Sequence, residues 1–167
     1  MSTLAVNLIN GTVRHLDSNS FFAPYTTINS GSTQNPQVLV MKSAVVSVIK
    51  GIVKIPDDCS STPVIEIMWT SETTTNTVDF KFRHRVTAGS DLALLDISTT
   101  PTELEDPIAN NGGPSASSEQ MIDEISLTTT DFAAGAYMYY EFERDGVTDD
   151  KADDITVWGL ELHVTGA

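Results

Sequence analysis

The densest group of titratable side chains in the sequence is the run Asp145, Gly146, Val147, Thr148, Asp149, Asp150, Lys151, Ala152, Asp153, Asp154. Five carboxylates within ten residues are the donors a calcium ion gathers, since its shell takes about six to eight oxygens. Their order departs from the D-x-D-x-D-G calcium loop, and Lys151 neutralises part of the charge, so the segment is expected to be a solvated turn. Adjacent acids also occur at Asp57 and Asp58, at Glu105 and Asp106, and at Asp123 and Glu124. Such pairs are usually only hydrated and do not by themselves argue for glycoside hydrolysis. His15, His84 and His163 fall in different strand-like segments, without a partner at metal-binding spacing. Cys59, the only cysteine, follows Asp57 and Asp58, whose charge opposes thiolate formation. No nucleophile elbow, phosphate-cradling glycine loop or H-E-x-x-H pair is present. The sequence therefore predicts no catalytic residue, no cofactor and no metal site.

A chain of 167 residues is one domain long and can bury a sizeable core. Nine Lys and Arg against 23 Asp and Glu leave a net charge of −14. That charge repels phosphate backbones and anionic headgroups, which argues against direct nucleic-acid and membrane partners. The charge is uneven. Residues 1–84 carry six positive and six negative side chains, and residues 85–167 carry three positive and seventeen negative ones. One docked face and one solvated face are expected from this asymmetry. The first sixteen residues lack the basic start and apolar run of a secretory signal, so a cytoplasmic product is expected. With one cysteine there is no internal disulfide framework.

Whatever the chain binds, strands must position it. Val64–Ser71 alternates, with Ile65, Ile67 and Trp69 on one face and Glu66 and Thr70 on the other. Residues 77–86 alternate more clearly, with Val78, Phe80, Phe82, His84 and Val86 opposite Asp79, Lys81, Arg83 and Arg85. Residues 136–144 set Met138, Tyr140 and Phe142 against Tyr139, Glu141 and Glu143. Residues 155–164 set Trp158, Leu160, Leu162 and Val164 against Glu161 and His163. About eight such segments without a βαβ rhythm predict an all-β fold, an antiparallel two-sheet sandwich of jelly-roll type. Residues 38–167 form the sandwich, preceded by an N-terminal arm or hairpin over 1–37 in which Asn10-Gly11 supplies a two-residue turn. Residues 98–120 are expected to be a surface loop.

Ile67-Met68-Trp69-Thr70-Ser71, Val78-Asp79-Phe80-Lys81-Phe82-Arg83, and Tyr140-Glu141-Phe142-Glu143-Arg144-Asp145-Gly146 followed by Asp149-Asp150 and Gly159-Leu160 together carry a resemblance. Over about residues 38–165 the chain resembles a jelly-roll β-domain of tailed-bacteriophage virion proteins, found in capsid decoration or cement proteins and in some tail-appendage proteins. The resemblance implies a non-enzymatic structural protein on the capsid surface of the virion. Its partners would be copies of itself, as a homotrimer, and the major capsid protein whose neighbouring subunits it clamps. It also implies that Trp69, Phe80, Phe82 and Trp158 lie in the core. The alternative is a receptor- or carbohydrate-binding module of a tail appendage.

Five aromatic residues are candidates for the partner interface. Phe21, Phe22 and Tyr25 are apolar bulk stranded in a polar stretch, suited to anchoring the arm on a neighbour. Tyr137 and Tyr139 occupy the wet side of their strand and could stack on a sugar or a subunit, whereas Tyr140 is expected in the core.

Overall fold

The computed structural model describes residues 3–9, 13–16, 19–24, 37–59, 63–87, 111–112, 119–127 and 134–165. Twelve antiparallel strands follow in chain order: β1 (Thr3–Asn7), β2 (Val13–Leu16), β3 (Ser20–Pro24), β4 (Gln37–Met41), β5 (Val46–Lys54), β6 (Val64–Ser71), β7 (Thr77–Val78), β8 (Phe80–Thr87), β9 (Asn111–Gly112), β10 (Met121–Ser126), β11 (Tyr137–Asp145) and β12 (Ile155–Thr165). One sheet runs β10-β6-β12-β4-β3, with β1 added beside β12, and the second runs β2-β5-β11-β8. β7 and β9 form a separate two-stranded pair. Among the described residues no helix is long and apolar enough to cross a membrane.

Period-two alternation decides which side of each strand is buried. β5 and β11 alternate buried and half-buried positions along most of their length, as strands with one packed and one wet face must. The inward residues of both sheets merge into one core: Leu39, Met41, Ile65, Ile67, Trp69, Leu160 and Leu162 from one sheet, and Ile49, Val53, Phe80, Phe82, Met138, Tyr140 and Phe142 from the other. The Trp69 ring meets Phe80 edge-on across the sheets at 5.7 Å, an arrangement favoured by the ring quadrupoles. Phe82 stacks on Tyr140 at 5.9 Å. Trp69, Phe80, Phe82 and Tyr140 thus sit in the core as expected.

Tyr140 pairs in register with Gly51 of β5, and its ring lies over that residue. A Cβ at Gly51 would stand 2.6 Å from Tyr140 Cζ, so only glycine fits there. The Tyr140 hydroxyl donates to the Leu8 carbonyl, while Leu8 N donates to Leu160 O at 2.7 Å. The end of β1 is thereby tied to both sheets.

The N-terminal strands differ from the expected hairpin. β1 and β2 do not pair across Asn10-Gly11; β1 adds to β12 and β2 adds to β5, in different sheets. Each strand finds a longer neighbour whose ladder would otherwise stay open, which outweighs the local turn preference. β3 pairs with β4, matching Phe21 to Val40 and Phe22 to Leu39.

Trp158 does not take the core position that the resemblance implies. Register runs from Ile155 opposite Ser71 to Val157 opposite Trp69 and resumes at Gly159 opposite Met68. Trp158 is the extra residue of a bulge, which resets the alternation. Ile155 and Val157 are buried before it and Leu160, Leu162 and Val164 after it, while Trp158 is half-buried and outside the core.

Candidate functional site

β11 lies between β5 and β8, so its outward side chains form the middle row of the four-stranded sheet's outer face. Tyr137 stands in register with Lys54 and Thr87, Tyr139 with Ile52 and Arg85, Glu141 with Lys50 and Arg83, and Glu143 with Val48 and Lys81. Lys50 bonds Glu141 directly across at 2.8 Å. The β8 cations lean one step along: Arg83 bonds Glu143 at 2.6 Å and Lys81 bonds Asp145 at 2.6 Å. The Tyr139 hydroxyl donates to Glu141 at 2.7 Å, which fixes its ring, while Tyr137 is 43% exposed. Burial resists ionisation of Glu141, but hydrogen bonds from Lys50 and Tyr139 outweigh it and hold the carboxyl below its usual value. Burial, reinforced by the neighbouring Glu141, pushes the Tyr139 phenol well above its ordinary value, so it stays a donor. The hydrogen bond with Asp145 raises Lys81 and lowers Asp145. The result is two aromatic rings beside a pre-paired lattice of hydrogen-bonding charges.

Tyr137 and Tyr139 are therefore brought together. Phe21 and Phe22 lie on β3, in the other sheet. Tyr25 lies outside the described residues.

The acidic run 145–154 is bound into the fold, in contrast to the expected solvated turn. Arg144 continues the inward row of β11, and its side chain and that of Asp149 are fully buried. Its Nε donates to Asp149 Oδ2 at 2.8 Å, one terminal nitrogen to the carbonyls of Met41 and Asp153, both at 3.0 Å, and the other to Lys151 O at 2.9 Å and Asp149 Oδ1 at 3.4 Å. All five guanidinium donors are used. Buried Lys151 donates to Thr73 O and Thr75 O at 2.7 and 2.8 Å, and desolvation lowers its pKa. Asp150 accepts from Thr77 N at 2.7 Å, Asp153 from Glu72 N at 2.9 Å, and Asp154 from Ser43 N at 2.9 Å. The five carboxylates thus face five different sets of protein donors and do not converge as a calcium shell would.

Asp123 and Glu124 lie on β10, with Asp123 buried, in contrast to the expected hydration, and Glu124 exposed. Trp69 Nε1 donates to Asp123 Oδ2 at 2.6 Å. Burial raises the pKa of this carboxyl, and the Trp69 bond only partly offsets it. His84 lies inward next to Phe82, as expected. His163 lies outward with Nε2 3.0 Å from Glu161 Oε2, and β6 brings Glu66 to the same place. That grouping escapes a search by local spacing because Glu66 and Glu161 are far apart in the chain; their outward alternation was the only signal. The His15 side chain lies outside the described residues.

The two sheets define an antiparallel β-sandwich. No family model matches the sequence, and no curated protein matches it. Among solved structures, the family 35 carbohydrate binding module from Clostridium thermocellum matches with a TM-score of 0.51 and 13% identity, covering 97% of this chain and 98% of that one. The CBM35 from Paenibacillus barcinonensis matches with a TM-score of 0.52 and 11% identity, covering 99% and 100%. At such identities the likeness shows a shared jelly-roll sandwich fold.

Proposed function

We propose that the chain is a non-catalytic carbohydrate-binding domain whose platform is the outer face of the four-stranded sheet. The supporting observation is the placement of Tyr137 and Tyr139 two residues apart on one face of β11, beside Lys50, Glu141 and Arg83. A pyranose ring offers an apolar C–H face that stacks on an aromatic ring, and hydroxyls that hydrogen-bond more strongly to charged donors and acceptors than to neutral ones. Both are supplied within adjoining rows. The ion pairs already fix these groups, so little side-chain entropy is lost on binding. The two solved neighbours are carbohydrate binding modules by name, which agrees with this reading. The more specific elements of the virion resemblance, which implied a capsid-clamping role, are the one around Trp69 and the Arg144–Asp150 segment. Their contacts are internal, so those residues support a fold more than a partner.

A glycan array probed with the wild-type chain and with Y137A/Y139A tests the proposal. Binding that falls at least about tenfold in the double variant is expected, since buried aromatic anchors dominate such contacts. Absence of binding to every glycan, or binding that the double variant leaves unchanged, would refute it. A trimer that co-sediments with capsids but ignores glycans would favour the clamp.

A further inference from the structure

The two sheets divide the protein's charge. Arg14, Lys50, Lys54, Lys81, Arg83, Arg85 and Arg144 all lie on the four-stranded sheet. The six strands of the other sheet contain no Lys or Arg, yet they carry Glu66, Asp123, Glu124 and Glu161. Glu124 stands in register with Glu66, and Glu66 with Glu161, so three carboxylates cross β10, β6 and β12 in one row. Directly opposed side chains in a sheet have Cβ atoms about 4.5–5.5 Å apart, and like charges there are destabilising. On the four-stranded sheet Glu141, Glu143 and Asp145 are each bonded to a Lys or Arg. Here the one basic side chain among the described contacts is His163, which follows Glu161 by two residues and so shares its face.

We propose that Glu66, Glu161 and His163 form a binding site for a transition-metal dication of the zinc class on the outer face of the six-stranded sheet. Their donor atoms lie within 4.8 Å of one another. His163 Nε2 is 3.0 Å from Glu161 Oε2 and 3.9 Å from Glu66 Oε1. Tetrahedral zinc with bonds of about 2.0–2.1 Å places its ligands about 3.3 Å apart, so small side-chain rotations bring all three donors to one ion. Backbone register, not a loop, holds the triangle, because two donors face each other across a ladder and the third is two residues on. The imidazole nitrogen selects zinc, cobalt or nickel over calcium and magnesium, which take oxygen shells. All three side chains are half-buried, leaving the outward position open to water or to a further ligand. The site lies on the sheet opposite Tyr137 and Tyr139 and does not depend on carbohydrate binding.

Titration calorimetry of the full, untagged chain with zinc chloride tests the site, alongside E66Q, E161Q and H163A, each checked for cooperative thermal unfolding without metal. One ion per chain is expected, with affinity lowered at least about tenfold by each substitution, since even outer-shell changes cost that much. NMR of the imidazole protons should show the His163 signals shifting on zinc addition, while Y137A/Y139A binds as the wild type does. No zinc binding, binding indifferent to the three substitutions, or equal binding of magnesium would overturn the proposal.

Discussion

Replacing Arg144 by Met tests whether the acidic segment is a structural clasp. The substitution removes five donors at once: it leaves the fully buried Asp149 carboxylate with the Lys151 amide but no opposite charge, and takes Arg144 away from the carbonyls of Met41, Lys151 and Asp153. At about 1–3 kcal/mol for each buried unsatisfied group, four such groups would cost about 4–12 kcal/mol if nothing relaxed. The segment can open towards water, so the lower end applies, which agrees with the ~3–5 kcal/mol lost when one partner of a buried ion pair is removed. A domain is stable by only about 5–15 kcal/mol, so the loss is a large fraction of the total. At about 2–4 °C per kcal/mol for a chain of this size, the thermal midpoint should fall by roughly 6–20 °C. Urea unfolding of R144M, D149L and R144M/D149L gives the coupling directly. The double variant should be more stable than R144M alone, because no buried charge is left unpaired. An R144M unfolding free energy within about 1 kcal/mol of the wild type would refute the clasp.

G51A forces a methyl into the Tyr140 ring and disturbs the hydroxyl bond to Leu8, which should cost about 1–3 kcal/mol in urea unfolding, as overpacking does. Acid should destabilise the fold. Asp145, lowered by its Lys81 bond, and Glu141, lowered by Lys50 and Tyr139 against the effect of burial, stabilise the folded state above their ordinary values of 3.8 and 4.5. That contribution disappears as pH falls through their lower folded values, so urea midpoints should be flat above about pH 5 and drop below it, less steeply in D145N. Asp123 acts with the opposite sign: its raised pKa lets stability fall as pH rises, so D123N should make the acid loss larger.

Much of the sandwich is legible from alternation, because a strand with one buried face must repeat every second residue. Residues 77–86 and 136–144 show this directly: Phe80, Phe82, Tyr140 and Phe142 are buried, and Tyr139 faces outward. Alternation fails at Trp158, where an inserted residue shifts the phase; the one local mark of the bulge is Gly159 within the strand, where the apolar phase changes from Ile155 and Val157 to Leu160 and Leu162. The Asn10-Gly11 hairpin fails for another reason. A turn preference of local origin competes with the ladders offered by β12 and β5, and only the assembled sheets decide between them.

Residue types and order alone determined that this protein is a β-sandwich with aromatic rows facing inward and Tyr139 facing out, because side-chain direction is set by position along a strand. They also made the 145–154 run acidic. Tertiary structure decided what those acids do, by placing buried Arg144 and Lys151 and the turn after β6 within hydrogen-bond reach. It alone set Glu66 opposite Glu161 beside His163, and placed every strand-borne Lys and Arg on one sheet. The physical reason is the same in each case. Alternation is a local consequence of backbone geometry, whereas pairing between strands distant in the chain depends on strand order and register, which no single segment encodes.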